Sequence, residues 1–239
     1  VDWWMSHRLL STVYSTVPYI IQEKDEAELN ARATGIAEGD IAANGYLHRV
    51  LTLCGLGVSF TGMSNHGSMG EHQISHYIDC FAGTDHPGTL HGQQVGVATL
   101  TMARLQRHFL DSETPPAIRP TRIDANDMAR RMGPEIAAQC FEELKGKIFD
   151  ERGAARINEA FAAIWPTLRT ELNAFALPVA ELERLLSDAG GAMTARDLGL
   201  PVARYREAVV HSREMRNRYS FLDVAADAGI LEDFAAGEA

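Results

Sequence analysis

Gly70-Glu71-His72-Gln73-Ile74-Ser75-His76, followed by Leu90-His91-Gly92-Gln93-Gln94-Val95-Gly96-Val97, is the stretch on which the reading of this chain turns. Side chains four apart on a helix share a face, so a helix here stacks His72 and His76 one turn apart. His91 opens a second, glycine-flanked segment and can bring a third imidazole to that face. Beyond it, Val95, Thr99, Met102, Leu105 and Phe109 recur at helical spacing over residues 91–110. The stretch therefore predicts helices carrying histidines rather than a strand, a glycine-rich turn and a helix. Nearby Gly55-Leu56-Gly57 lacks the third glycine and the βαβ context of a dinucleotide fingerprint, and reads as helix-packing or loop glycines.

The same period extends outward. Residues 24–53 are rich in Ala, Glu, Leu and Arg with apolar positions three and four apart, while 53–63 is mixed, a helix with a loop. Helical patterning returns over 126–149 and 152–165, with Ile157, Phe161, Ile164 and Leu168 as a stripe. Pro178 can start a helix that stops at Gly190-Gly191. Thr194 is a candidate N-cap for a short helix ending at Gly199, Pro201 can open one running to Asn217, and Ser220 can cap Phe221 to Ala228. The acidic tail is expected to fray. Strand and hairpin signals are scarce, so the predicted fold is all-α, a bundle of packed helices. Thr114-Pro115-Pro116 and Arg119-Pro120 form the clearest linker. It divides a helical region with the histidine motifs, 1–113, from a helical bundle, 121–239, read as parts of one all-α domain.

Bulk properties narrow the function. The 239 residues are 46% hydrophobic, enough for a core, and carry a net charge of −10. That charge argues against nucleic acid, which needs a basic stripe, and against an anionic membrane surface. The cysteines Cys54, Cys80 and Cys140 are far apart and odd in number, the pattern of reduced thiols in a cytoplasmic protein. No transmembrane run and no signal peptide are read. Val1-Asp2-Trp3-Trp4 reads as a chain entered in mid-protein.

Neutral imidazoles bind zinc and other borderline divalent ions, and catalytic zinc takes three protein ligands with a fourth position open. His72 and His91 are the best two ligands. An oxygen ligand is needed beside them. Asp2 is the candidate, though spacing alone does not separate it from Glu71, Asp79 or Asp85. The competing reading makes His72 and His76 helix-surface or capping residues and His91 a loop residue.

The elements Asp2-Trp3-x-x-Ser6-His7, Gly70-Glu71-His72-Gln73-Ile74-Ser75-His76, His91-Gly92 through Leu100 and Arg216-Asn217-Arg218-Tyr219-Ser220 occur in that order across nearly the whole chain. Together they resemble the metal-binding signatures of the iron-containing alcohol dehydrogenase superfamily, and most closely those of the sn-glycerol-1-phosphate dehydrogenase family. The resemblance implies that Asp2, His72 and His91 are the metal ligands. The chain would then be the C-terminal, all-helical, metal-binding domain, separate from an N-terminal dinucleotide-binding domain. It implies reversible, NAD- or NADP-linked reduction of dihydroxyacetone phosphate to sn-glycerol 1-phosphate, with the nicotinamide cofactor held by that other domain. Zinc is the default metal, and nickel or iron suits imidazoles too.

Other residues follow from that picture. His76, one turn after His72, would relay a proton or orient the ligands, against a reading as a buried hydrogen-bonded histidine. Where the family has a Ser-x-Pro-Ala-Ser-Gly-like run, this chain has Ser64-Asn65-His66-Gly67-Ser68-Met69-Gly70. Asn65 and His66 are candidate phosphate-binding residues there, or simply turn residues. His7 reads as a supporting or a surface residue. The arginines Arg204, Arg206, Arg213, Arg216 and Arg218 read as a solvated helix face. The expected partner is a small phosphorylated polyol, and homo-oligomerisation is left open. Competing functions are another polyol dehydrogenase such as glycerol dehydrogenase, a lyase like dehydroquinate synthase, or a non-catalytic helical scaffold.

Overall fold

A computed structural model describes residues 1–238, and every regular element among them is helical. The helices are α1 (Asp2–Leu10), α2 (Val17–Asn30), α3 (Ala33–Ala37), α4 (Ile41–Thr61), α5 (Gly70–Phe81), α6 (His91–Leu110), α7 (Ala125–Met132), α8 (Pro134–Leu144), α9 (Glu151–Phe175), α10 (Val179–Asp188), α11 (Val202–His211), α12 (Phe221–Ala228) and α13 (Leu231–Gly237). Single 3₁₀ turns follow α5 at Gly83–Asp85, α8 at Lys145–Lys147 and α11 at Ser212–Met215. Among the described residues no helix is long and apolar enough to cross a membrane.

Local chemistry sets several boundaries. Asp40, Asp124, Asp150 and Ser220 each accept a backbone N–H from the first turn of α4, α7, α9 and α12. Such caps stabilise by about 1 kcal/mol each. Gly229 ends α12 in the left-handed region, at φ 78°, where a side chain is disfavoured. The Ser220 cap and the span of α12 agree with the sequence expectation.

Elsewhere the structure differs for identifiable reasons. The 53–63 segment continues α4 as far as Thr61. Gly133, at φ 81° and ψ 149°, breaks the 126–149 pattern into α7 and α8. Pro166 does not stop α9, whose buried Phe161, Trp165, Leu168 and Leu172 hold the helix on the core to Phe175. Residues 194–199 form turns rather than a helix. The helix after Pro201 ends at His211, so Arg216 and Arg218 lie in an irregular segment and not on a helix face. The acidic tail is fastened: Glu238 is buried and bonds Thr101, Arg104 and, through its carbonyl, Arg206.

One core joins α5 (Ile74, Tyr77, Ile78), α6 (Val97, Met102, Leu105, Phe109), α9 and α12 (Phe221, Leu222, Val224). It therefore includes residues on both sides of the proline-rich segment. Two packing relations position the site. α5 lies against α6, and the 3₁₀ turn at 212–215 lies against α5. The latter is pinned by Lys147, only 4% exposed, whose Nζ donates to the Arg213 carbonyl at 2.6 Å and the Arg218 carbonyl at 3.1 Å. The same ammonium pairs with buried Asp223 at 2.9 Å. Removing one member of a buried pair costs about 3–5 kcal/mol, so the 213–220 backbone is held firmly beside α5.

Candidate metal centre

α5 has two faces. Ile74, Tyr77 and Ile78 are buried in the core. His72, Ser75, His76 and Asp79, at i, i+3, i+4 and i+7, form a polar stripe towards the start of α6. His91 is the first residue of α6, whose N-terminal turn is closed by Gln93 accepting the Leu90 N–H at 3.0 Å. Gln94, fully buried, ties the helices together: its amide donates to Asp79 at 3.0 Å and its oxygen accepts from Ser75 Oγ at 3.0 Å.

This scaffold gathers three imidazoles. The ring centres of His72 and His91 are 5.2 Å apart, those of His76 and His91 5.1 Å, and those of His72 and His76 6.1 Å. Two imidazoles sharing a tetrahedral ion at about 2.0–2.1 Å per bond have ring centres roughly 5 Å apart. The spacing of His72 and His91 fits a shared ion.

Their hydrogen bonds separate the three rings further. His72 Nδ1 meets Glu71 Oε1 at 2.8 Å. Burial acts to raise the Glu71 carboxyl, but the His72 ring and the Met69 amide outweigh it and hold the group below the usual carboxylate range. An ionised acceptor there puts the His72 ring proton on Nδ1 and leaves Nε2 with a free lone pair. His91 Nδ1 meets Ser75 Oγ at 2.9 Å and Asp79 Oδ2 at 3.2 Å. Since Ser75 donates its own proton to Gln94, its oxygen accepts from His91, whose Nε2 is likewise free. Asp79 is also held low: burial opposes, and bonds from His86, Gln94 and His91 prevail. His76 is the reverse case. Its Nδ1 lies 3.2 Å from an Arg216 guanidinium nitrogen, which can only donate. The ring proton of His76 therefore sits on Nε2. Burial, with the charges of Arg216, His91 and His72, pushes its pKa down to about 4, so the ring is neutral near pH 7.

Asp2 sits beside this group rather than within it. Its carboxylate, 3% exposed, accepts from Gln106 Nε2 at 3.0 Å and more weakly from the Gly70 amide at 3.4 Å. Burial raises the pKa of its carboxyl. Among the described residues no three His, Cys, Asp or Glu side chains stand close enough to hold one ion. The structure thus brings His72 and His91 together and places Asp2 with His72 on the wall of one cavity of about 330 Å³. Donor chemistry and imidazole spacing suit a divalent ion, and Asp2 would have to turn from Gln106 to complete the set.

Asn65 and His66 line that same cavity. The Asn65 amide reaches Met69 Sδ at 3.7 Å, and His66 Nε2 is bonded to the Cys54 carbonyl at 2.9 Å. His7 turns away, with Nδ1 on the Thr12 carbonyl. A larger cavity, about 600 Å³, lies near Arg119, Arg122, His211 and Asp227, and contains none of the expected site residues, so size does not mark the site. Sequence reasoning did not assign Glu71, Ser75 and Asp79 as supports, although the i, i+3, i+4, i+7 stripe was a signal for Ser75 and Asp79. Arg216 belongs to the Arg216–Ser220 element read in the sequence, but nothing local pairs it with His76, 140 residues away.

No family model matches the chain. It is similar to the NAD(P)+ glycerol-1-phosphate dehydrogenase of Methanothermobacter thermautotrophicus, 31% identical over 105 residues, covering 44% of this chain and 29% of that protein. It is similar to the same enzyme of Halorubrum lacusprofundi, 34% identical over 139 residues, covering 57% of this chain and 38% of that protein. The Haloquadratum walsbyi enzyme is 31% identical over 104 residues, 44% of this chain and 29% of its own length. The matched part thus spans well under half of each of these relatives. Their shared name agrees with the resemblance carried by the motifs.

Proposed function

We propose that this chain is the metal- and substrate-binding part of an enzyme that reversibly reduces dihydroxyacetone phosphate to sn-glycerol 1-phosphate with NADH or NADPH. The observation that carries the reading is the opposed protonation of the three rings. His72 and His91 present free Nε2 lone pairs at the spacing of a shared ion, while His76 presents an N–H.

Asp2, His72 and His91 would hold a divalent metal, with zinc as the first choice and nickel or iron also suited to the donors. When bound, such an ion supplies Lewis-acid stabilisation of the charge that develops on the C2 oxygen. Glu71 and Asp79 keep the Nδ1 protons in place and so keep both rings in the ligating tautomer. His76, neutral and protonated at Nε2, would donate a hydrogen bond to the substrate oxygen and orient it. Asn65 and His66, on the cavity wall, would contact the polyol. The nicotinamide would be carried by a part of the protein beyond this chain, consistent with how much longer the relatives are. Three free cysteines suit the cytoplasm.

The test is an assay of the full-length protein with dihydroxyacetone phosphate and NADH or NADPH, before and after chelation and zinc add-back. The expected result is reduction that chelation abolishes and zinc restores. Protein without divalent metal whose turnover ignores chelation would refute the reading. Turnover of glycerol in preference to glycerol 1-phosphate would favour an unphosphorylated-polyol dehydrogenase.

A further inference from the structure

We propose that His66 is a positioning residue: with Gly57 it latches the 64–69 loop onto α4, and so sets the part of the cavity wall against which the substrate is held. The role toward the substrate rests on the functional reading above; the latch itself does not.

His66 belongs to the run in which this chain departs from the family it resembles. The two ends of that loop are tied elsewhere. Arg218 donates to Ser64 Oγ at 2.7 Å and to the Ser68 carbonyl, and the Met69 amide donates to Glu71 at 2.8 Å. The middle, 65–67, closes a turn on itself, with the Gly67 N–H on the Ser64 carbonyl at 3.1 Å. Among the described residues the one hydrogen bond from that middle to another element runs from His66 Nε2 to the Cys54 carbonyl of α4, at 2.9 Å. A carbonyl only accepts, so Nε2 carries the ring proton. Nδ1 is then an acceptor, and it is buried without a partner. In this state His66 has no N–H to offer an anion, because its one donated bond goes to α4.

Both surfaces of the contact are shaped for it. Cys54 and Gly57 are three apart and share a face of α4. A Cβ at Gly57 would lie 2.8 Å from His66 Nε2 and 3.0 Å from Pro18 Cβ of α2. On the loop side, a Cβ at Gly67 would lie 2.6 Å from Cys54 Sγ. A mid-helix glycine weakens a helix relative to alanine, and the close approach of the His66 ring accounts for one at position 57. Asn65, Gly67 and Ser68, around His66 in the chain, line the cavity together with Asp2 and His72. α5 and α6, which carry the imidazoles, take no part in the latch. Its loss therefore acts on substrate binding and leaves the histidine centre in place.

The experiment compares the full-length protein with its His66→Ala, His66→Gln, Gly57→Ala and doubly substituted Gly57→Ala/His66→Ala variants. Amide hydrogen exchange over 64–69 should speed up in His66→Ala and in Gly57→Ala. KM for dihydroxyacetone phosphate should rise about fivefold or more in both, the effect of losing one hydrogen bond, while kcat and zinc affinity hold. His66→Gln, whose amide nitrogen can donate in place of Nε2, should restore most of the KM. The effect of Gly57→Ala should shrink in the His66→Ala background, where the ring it collides with is gone. Exchange equal to the parent's, or no rescue by His66→Gln, would overturn the latch. Faster exchange with unchanged KM, or a parallel loss of kcat and zinc affinity, would overturn the positioning role. Faster exchange in variants of a protein that turns over no dihydroxyacetone phosphate would instead refute the functional reading while the latch stands.

Discussion

Three imidazoles within about 6 Å of one another differ in chemistry because of what stands behind each Nδ1. A carboxylate behind His72, a carboxylate and a hydroxyl behind His91 and a guanidinium behind His76 decide which rings can bind a cation. Asp79→Asn should therefore weaken zinc binding about 10- to 100-fold in a competition titration, with little loss of stability because Asp79 lies at the surface. Unchanged zinc affinity would remove Asp79 from the site. The histidines themselves were legible from their spacing. Ser75 and Asp79 were legible in principle from the same stripe. Arg216 stood in a motif, but its contact with His76 was not legible, since only tertiary packing brings residues 140 positions apart together.

At the scale of elements, the start of α5 is the critical junction. A Cβ at Gly70 would lie 2.5 Å from Met102 Cε and 3.0 Å from Asp2 Oδ2. Met102 is flexible and can yield, but Asp2 is buried and bonded. Gly70→Ala should cost about 1–3 kcal/mol in urea unfolding, the range for overpacking a filled site, and should weaken metal binding by displacing Asp2. A variant as stable and as competent as the parent would show that Asp2 does not sit where the packing places it. Elements with their own caps, such as α12 behind Ser220, were readable from sequence. The conformation of the 216–218 segment and the anchoring of the tail were not: a buried lysine 71 residues from Arg218 holds the first, and Thr101 and Arg104 of α6 hold the second. Neither signal is periodic.

Across the whole molecule, the bundle buries ionised groups as well as apolar ones. Asp227, 3% exposed, accepts from Thr121 Oγ1 at 2.7 Å, and burial raises its pKa from 3.8 to about 6. Between those values the folded chain keeps a proton that the unfolded chain has lost. The stabilisation linked to Asp227 is therefore complete below about pH 4 and is lost as pH rises through about 6. Asp227→Asn should flatten this fall, by at most about 3 kcal/mol for a two-unit shift, in urea midpoints measured from pH 4 to 7. An unaltered slope would assign the pH dependence to other groups.

The all-α architecture was legible because helical period persists almost throughout, whereas the proposed metal centre was only partly so, since its candidate oxygen ligand, Asp2, is remote in sequence from His72 and His91. Zinc binding to the 239-residue chain, with and without His72→Ala and His91→Ala, tests that centre most directly. One zinc per chain, lost in either variant, is the expected result. No stoichiometric zinc, or binding indifferent to both substitutions, would contradict it.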